Sequence, residues 1–134
     1  MSKVMLLALL AVSATAAAAT PREMIDAYAA EAVRQSPGFQ PSARRGAEFY
    51  ARRFAVSDKM PACTACHTDS PAQPGRHAVT GKAIKPLAPR AEAARFTDPA
   101  KTEKWFRRNC TEVLGRECSA AEKADFIRFV AEGL

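Results

Sequence analysis

The 134-residue chain lacks several features that would place it in common protein classes. No stretch alternates apolar and polar residues in the way that predicts a β-strand, and no βαβ pattern is present. We find no internal repeat and no motif for nucleic-acid binding. Large apolar side chains are few, because much of the 48% hydrophobic content is alanine. We therefore predict an all-α fold with a thin core that needs additional apolar bulk.

The chain also lacks an apolar run long enough to cross a bilayer as a helix. Its longest run, Val4 to Val12, follows Lys3 and precedes the small-residue stretch Ser13 to Ala19, an order typical of a cleavable secretory signal peptide. No cysteine lies near the expected cut, so a lipid anchor is not predicted. We expect a signal peptide at 1–19 and one domain at 20–134, soluble in the periplasm and not inserted in the membrane.

The most informative feature is the pentapeptide Cys63-Thr64-Ala65-Cys66-His67, the C-x-x-C-H attachment signature of a c-type haem. Thiols three residues apart lie about one helical turn apart and can bond one porphyrin edge, and the adjacent imidazole can bind the iron. A thioredoxin-like motif, or a zinc site that includes His77, is the alternative. The missing βαβ pattern and the spacing of the two pairs argue against both. We predict one covalent haem c, which would also enlarge the core.

The charge is moderately basic, with 20 Lys and Arg against 14 Asp and Glu. Arginine pairs occur at 44–45, 52–53 and 107–108. They are suited to steering an acidic redox partner, although a solvated helix face is the favoured explanation. Nucleic acid is not an expected partner.

Four helices are predicted. The first begins at a capping box, Thr20 to Glu23, and ends before Ser36, and the second covers about 42–53 with Gly46 at a close helix crossing. The third starts behind Asp98 and ends near Cys110, and the last begins at a second capping box, Ser119 to Glu122. Residues 70–89 are expected to form an ordered loop around the cofactor.

No methionine follows His67, so the usual sulfur ligand of an electron-carrying cytochrome c is missing. Met60 lies too close to Cys63 to reach the opposite haem face. His77 would give a bis-histidine haem, or else bond a propionate or the backbone. Asn109 is the other candidate, although an asparagine near a helix end is more often a C-cap.

Four stretches of the chain resemble the sphaeroides haem protein (SHP) type of cytochrome c, which has a class I cytochrome c fold. They are Met60 to His67, Gly75 to Lys82, Pro86 to Pro89 and Trp105 to Cys118. The resemblance implies that His67 and the side-chain oxygen of Asn109 hold the ferric iron and that Asn109 leaves on reduction. The ferrous haem could then bind O2, NO or CO. Other c-type cytochromes and a membrane cytochrome b are the implied redox partners.

Three further expectations concern the region around Asn109. Cys110 and Cys118 are an even pair in an exported protein, so we predict a disulfide that also holds Asn109 in place. Trp105, one turn before Asn109, is expected to pack against the haem or in the core. An enzyme or sensor of NO or O2 is the alternative to electron transfer, but its proton donor would have to be Arg107, Arg108 or His77.

Overall fold

The computed structural model describes residues 18–133 and confirms the all-α fold. Its helices are α1 (Pro21–Gln35), α2 (Ala43–Ala51), α3 (Thr64–His67), α4 (Pro99–Leu114) and α5 (Ala120–Glu132). Most of the predicted signal peptide, residues 1–17, lies outside this range. None of the helices in the described part of the chain is long and apolar enough to span a membrane.

Both predicted capping boxes are present. At the start of α1, the Thr20 hydroxyl accepts the Glu23 N–H at 3.2 Å, and the Glu23 carboxylate accepts the Thr20 N–H at 2.7 Å. The same reciprocal pair joins Ser119 and Glu122 at the start of α5. Each box satisfies two N–H groups that a helix end would otherwise leave without a partner, so both helices begin at the predicted residues.

The terminal helix α5 packs against both α1 and α2. Gly46 lies where α2 crosses α5, and a Cβ at this position would clash with the backbone of Asp125. The predicted close crossing is confirmed, because only a residue without a side chain permits this approach. Tyr50 of α2 packs its ring against Phe126 and Phe129 of α5.

Helix α4 is longer than predicted. It continues past Cys110 to Leu114 and ends at Gly115, whose φ of 72° is the left-handed conformation that glycine adopts most easily. Buried Val113 and Leu114 explain the extension, since the last turn completes the apolar face that Phe106 and Cys110 begin. Asn109 therefore lies inside the helix, and its interpretation as a C-cap is wrong.

Two short strands, β1 (Gly75–Arg76) and β2 (Ala83–Ile84), were not predicted. They pair antiparallel, with Gly75 opposite Ile84 and Arg76 opposite Ala83. Residues 75–84 are called the Cys66 hairpin below, because its tip contacts Cys66. The predicted ordered loop thus contains a small β-hairpin.

Candidate haem site

The attachment motif forms the single turn α3, with Cys63 as its N-cap residue. The His67 N–H donates to the Cys63 carbonyl at 3.0 Å, which fixes the predicted one-turn spacing of the two cysteines and the histidine. Both thiols are half-buried and unpaired. Burial raises the pKa of the Cys63 thiol to about 11. Two free thiols and an imidazole on one turn are the donor set that covalent haem attachment needs.

His67 is held as a neutral imidazole. Burial, together with the positive charge of Arg95 and the nearby His77 ring, lowers its pKa to about 4. A neutral ring is the form that binds a metal. Among residues 18–133, no three His, Cys, Asp or Glu side chains form a group that could hold a metal ion.

Tyr50 fixes the chain at the end of α3, and sequence reasoning did not assign it to the site. Its hydroxyl lies 2.6 Å from the Thr68 carbonyl oxygen and 3.1 Å from that of His67. Thr68 has a φ of 62°, which is uncommon for a residue with a side chain, and the Tyr50 bond helps to hold this conformation. Burial raises the pKa of Tyr50, so the hydroxyl stays protonated and can donate.

The Cys66 hairpin packs directly on the attachment turn. A Cβ at Gly75 would clash with the Cys66 carbonyl and come within 3.0 Å of the His67 Cα, so this position requires glycine. At the tip, the Ala78 N–H lies 3.2 Å from the Cys66 sulfur. The sequence signal for this contact was the glycine at position 75, but nothing local indicated its partner.

The His77 ring is hydrogen-bonded to the backbone of its own hairpin. Its Nδ1 accepts the N–H groups of Val79 and Thr80, each at 3.2 Å. In a neutral imidazole the proton is then on Nε2, which leaves neither nitrogen with a lone pair for iron. His77 also belongs to the segment that packs on the attachment turn, beside His67. This arrangement disfavours a bis-histidine haem and supports the backbone role.

Asn109 lies half-buried on α4, beside the buried stripe of Phe106, Cys110 and Val113. That stripe belongs to the main apolar core, against which Met60 and Cys63 also pack. The attachment turn and the helix that carries Asn109 therefore meet at the same core. Met60 thus packs against the same core as Cys63.

Trp105 is one turn before Asn109 and exposes 41% of its surface. Trp105 is therefore not buried in the core, which was one of its two expected positions. The Arg108 guanidinium lies 5.6 Å from its ring centroid. The ring is thus a partly exposed apolar surface on the edge of α4 next to Asn109.

Arg107 and Arg108 face solvent. With Lys104, Thr111 and Glu112 they line a shallow groove of about 360 Å³ on α4. Arg108 pairs with Glu112 at 3.0 Å, and Arg107 approaches Glu117 at 3.9 Å. Neither guanidinium has the buried position expected of a proton donor at the haem, which weakens the enzyme interpretation.

Cys110 and Cys118 lie at disulfide-bonding distance, with Cα atoms 5.6 Å apart, and both are buried. They join α4 to the residue before the Ser119 cap of α5.

A second connection, not expected from the sequence, lies nearer the start of α4. There the Glu103 carboxylate accepts the Lys123 ammonium at 2.7 and 2.9 Å and the Tyr28 hydroxyl at 2.8 Å. These three residues, called the Glu103 cluster below, connect α4 with α5 and α1.

Arg95 is a half-buried cation near His67. Its guanidinium donates to the carbonyl oxygens of Pro86 at 2.7 Å and Lys85 at 2.6 Å. Burial lowers the pKa of Arg95, and Glu92 nearby offsets only part of that effect. The described residues give it no ion pair at contact distance. A buried charge without a direct counter-ion is unusual and is suited to an anionic group of a bound cofactor.

Comparison with known proteins places this site in a chemical class. A family model described as a domain of unknown function (DUF1924) matches residues 37–130. The chain is 41% identical to the cytochrome c-type protein SHP of Cereibacter sphaeroides over 125 residues, 92% of each protein. It is 47% identical over 91 residues to cytochrome c'' of Methylophilus methylotrophus. That alignment covers 67% of this chain and 63% of cytochrome c'', less than two thirds of the relative.

Solved structures of both relatives have the same fold. Oxidized SHP, described as an oxygen-binding cytochrome c, superposes with a TM-score of 0.77 at 38% identity and covers 84% of this chain and 96% of its own. The solution structure of cytochrome c'', described in relation to haem-ligand detachment, has a TM-score of 0.73 at 40% identity, covering 82% and 90%.

The fold, the C-x-x-C-H turn and these relatives define a c-type cytochrome, a protein that carries covalently attached haem. The chain belongs to the DUF1924 family and, with SHP and cytochrome c'', to one family of cytochromes c. The resemblance to SHP is confirmed.

Proposed function

We propose that this protein is a periplasmic electron-transfer cytochrome with one haem c, bound through Cys63 and Cys66 and ligated by His67. Asn109 would hold the ferric iron through its side-chain amide oxygen and would release it on reduction. The observation that carries this proposal is the position of Asn109. It lies half-buried on α4, beside the core that the attachment turn also contacts, in a chain with no methionine after His67.

The chemistry of the ligands supports a switch. An amide oxygen is a hard, neutral donor and binds ferric iron better than the softer ferrous ion, whereas a thioether has the opposite preference. Adding an electron therefore weakens the bond to Asn109. Without a thioether ligand, the reduction potential should also be lower than that of a His/Met cytochrome.

The haem supplies a reversible one-electron centre and, once Asn109 leaves, an open position for O2, NO or CO. SHP is described as oxygen-binding, and cytochrome c'' is described in connection with haem-ligand detachment. Both descriptions support the extension of these properties to this chain. Other c-type cytochromes and a membrane cytochrome b are the proposed redox partners, and the proposed signal peptide at 1–19 directs the chain to them.

Residues of the chain have distinct roles in this proposal. His67 provides a neutral nitrogen to the iron, and Tyr50 holds the backbone that follows it. Arg95 provides the positive charge for a haem propionate, because it is half-buried beside His67 and has no acidic partner at contact distance among residues 18–133. Trp105 provides an apolar surface next to the position that Asn109 vacates.

Two parallel variants test the ligand assignment. Asn109→Ala should change the absorption spectrum of the ferric holoprotein, because its oxygen ligand is gone. His77→Ala should leave the ferric spectrum unchanged, because its ring bonds the hairpin backbone. Both variants should bind CO when reduced. A ferric spectrum that changes in His77→Ala but not in Asn109→Ala, or a reduced wild type that ignores CO, contradicts the proposal.

A further inference from the structure

The Cys66 hairpin has a tip that its own hydrogen bonds hold in shape. The His77 N–H donates to the Lys82 carbonyl at 2.8 Å, and the Gly81 N–H donates to the His77 carbonyl at 2.9 Å. The His77 ring accepts two more N–H groups, and the Arg76 guanidinium donates to the Gly81 carbonyl at 2.5 Å. Polar backbone groups in this tip are thus satisfied internally, and the tip presents a fixed surface.

That surface has an apolar centre beside the haem attachment. Val79 exposes 54% of its surface, and it follows Ala78, whose N–H contacts the Cys66 sulfur. A single exposed valine is ordinary on a protein surface. Here the exposed side chain lies on a hydrogen-bonded turn. It is one residue after Ala78, which contacts the Cys66 sulfur that would attach the haem.

The hairpin that carries Val79 contains charge of one sign. Residues 70–91 contain Arg76, Lys82, Lys85 and Arg90 and no aspartate or glutamate. Lys85 pairs with Glu92 at 2.7 Å, whereas Arg76 and Lys82 have no ion pair among the described residues. The groove on α4 is different, because Glu112 and Glu117 lie against its arginines. The hairpin is therefore the less neutralised of the two basic surfaces.

We propose that the Cys66 hairpin is the docking surface for an acidic electron-transfer protein, with Val79 as the apolar contact and Arg76 and Lys82 as its charged rim. An apolar contact inside a ring of complementary charge is the usual anatomy of a transient interface. One electron passes from the reduced partner through the Cys66 sulfur to the ferric iron, which becomes ferrous. No bond of the hairpin breaks. This inference rests on the proposed electron-transfer function and names the surface that serves it.

The test uses flavodoxin hydroquinone, an acidic flavoprotein reductant that gives up one electron to become the semiquinone. It is mixed without oxygen with the ferric holoprotein, and haem reduction is followed by stopped-flow absorption. Lys82→Glu should slow reduction about three- to tenfold at roughly 10 mM salt, since steering changes association rates by an order of magnitude or more. The difference should vanish at high salt. Val79→Ser should slow reduction at both salt concentrations, because its contact is apolar.

Arg107→Glu makes the same charge change in the α4 groove and is the matched control, with an expected effect below about twofold. Equal slowing by Lys82→Glu and Arg107→Glu, or no effect of Val79→Ser, would overturn the docking assignment. Photoreduced lumiflavin, which is small and neutral, tests whether the haem accepts an electron without docking of a protein. A wild type that lumiflavin cannot reduce contradicts electron transfer itself, whereas variants that differ only with flavodoxin support the hairpin.

Discussion

Lys123→Met should lower the free energy of unfolding by about 2–3 kcal/mol. The Lys123 side chain is only 10% exposed, and its ammonium bonds both oxygens of Glu103 at 2.7 and 2.9 Å. Removing one partner of a buried ion pair costs about 3–5 kcal/mol. The Glu103 side chain is 36% exposed, so water can partly replace the lost bonds, which reduces the expected cost.

The assay is denaturation of the holoprotein by guanidinium chloride, followed by far-ultraviolet circular dichroism. Lys104→Met, on the exposed face of the same α4 helix that carries Glu103, is the control and should change stability by less than about 0.5 kcal/mol. Adding Glu103→Gln to Lys123→Met should restore about 1 kcal/mol, because no unpaired charge remains. A loss below about 1 kcal/mol for Lys123→Met, or a double variant no more stable than the single one, would refute the reasoning.

Three other predictions concern pH, the hairpin and the disulfide. Burial raises the pKa of Glu103, but the hydrogen bonds from Lys123 and Tyr28 outweigh it and the net pKa is lowered. The stabilising effect of Glu103 is thus present above about pH 4.3 and lost as the pH falls through its lowered folded value, and pH-dependent denaturation of Lys123→Met should show a flatter profile. Gly75→Ala should cost about 1–3 kcal/mol in thermal unfolding through its clash with Cys66, more than Gly81→Ala, where nothing lies within 4 Å and only the φ of 70° opposes a side chain; equal losses would contradict this. Cys110→Ala with Cys118→Ala, at a sequence separation of 8, should cost about 2.5 kcal/mol and shift the ferric spectrum, since Asn109 adjoins the bridge; unchanged ligation would argue against that coupling.

The parts of the fold that were predicted correctly have signals that lie within a few residues. Each capping box spans four residues, and Gly46, with the aromatic residues of the last helix as its expected partners, marked the crossing of α2 with α5. The end of α4 was placed near Cys110, four residues early, although Gly115 was the stronger stop signal. The hairpin was missed because strands of two residues are too short to show a period.

The missed site residues depend on contacts between distant parts of the chain. Tyr50 reaches Thr68 across 18 positions, and Tyr28 reaches Glu103 across 75. No local pattern announces such a pair, since each residue alone is an ordinary core tyrosine or surface carboxylate. His77 shows the same limit in reverse, because its type suggested a ligand while its bonds to the hairpin backbone could be seen only in three dimensions.

In the proposed haem site, the Tyr50 bond would hold the His67 side in place. On one side, His67 is the last residue of α3, and its carbonyl accepts a hydrogen bond from Tyr50 of α2. Helix α2 in turn packs on α5. On the other side, Asn109 lies between the Glu103 cluster and the Cys110 bridge. We expect the departure and return of Asn109 to gate the redox cycle from that side alone. At fast scan rates, cyclic voltammetry should then record the reduction potential of the haem with Asn109 still bound, because Asn109 has no time to leave. At slow scan rates it should record the potential after Asn109 has left the ferrous iron.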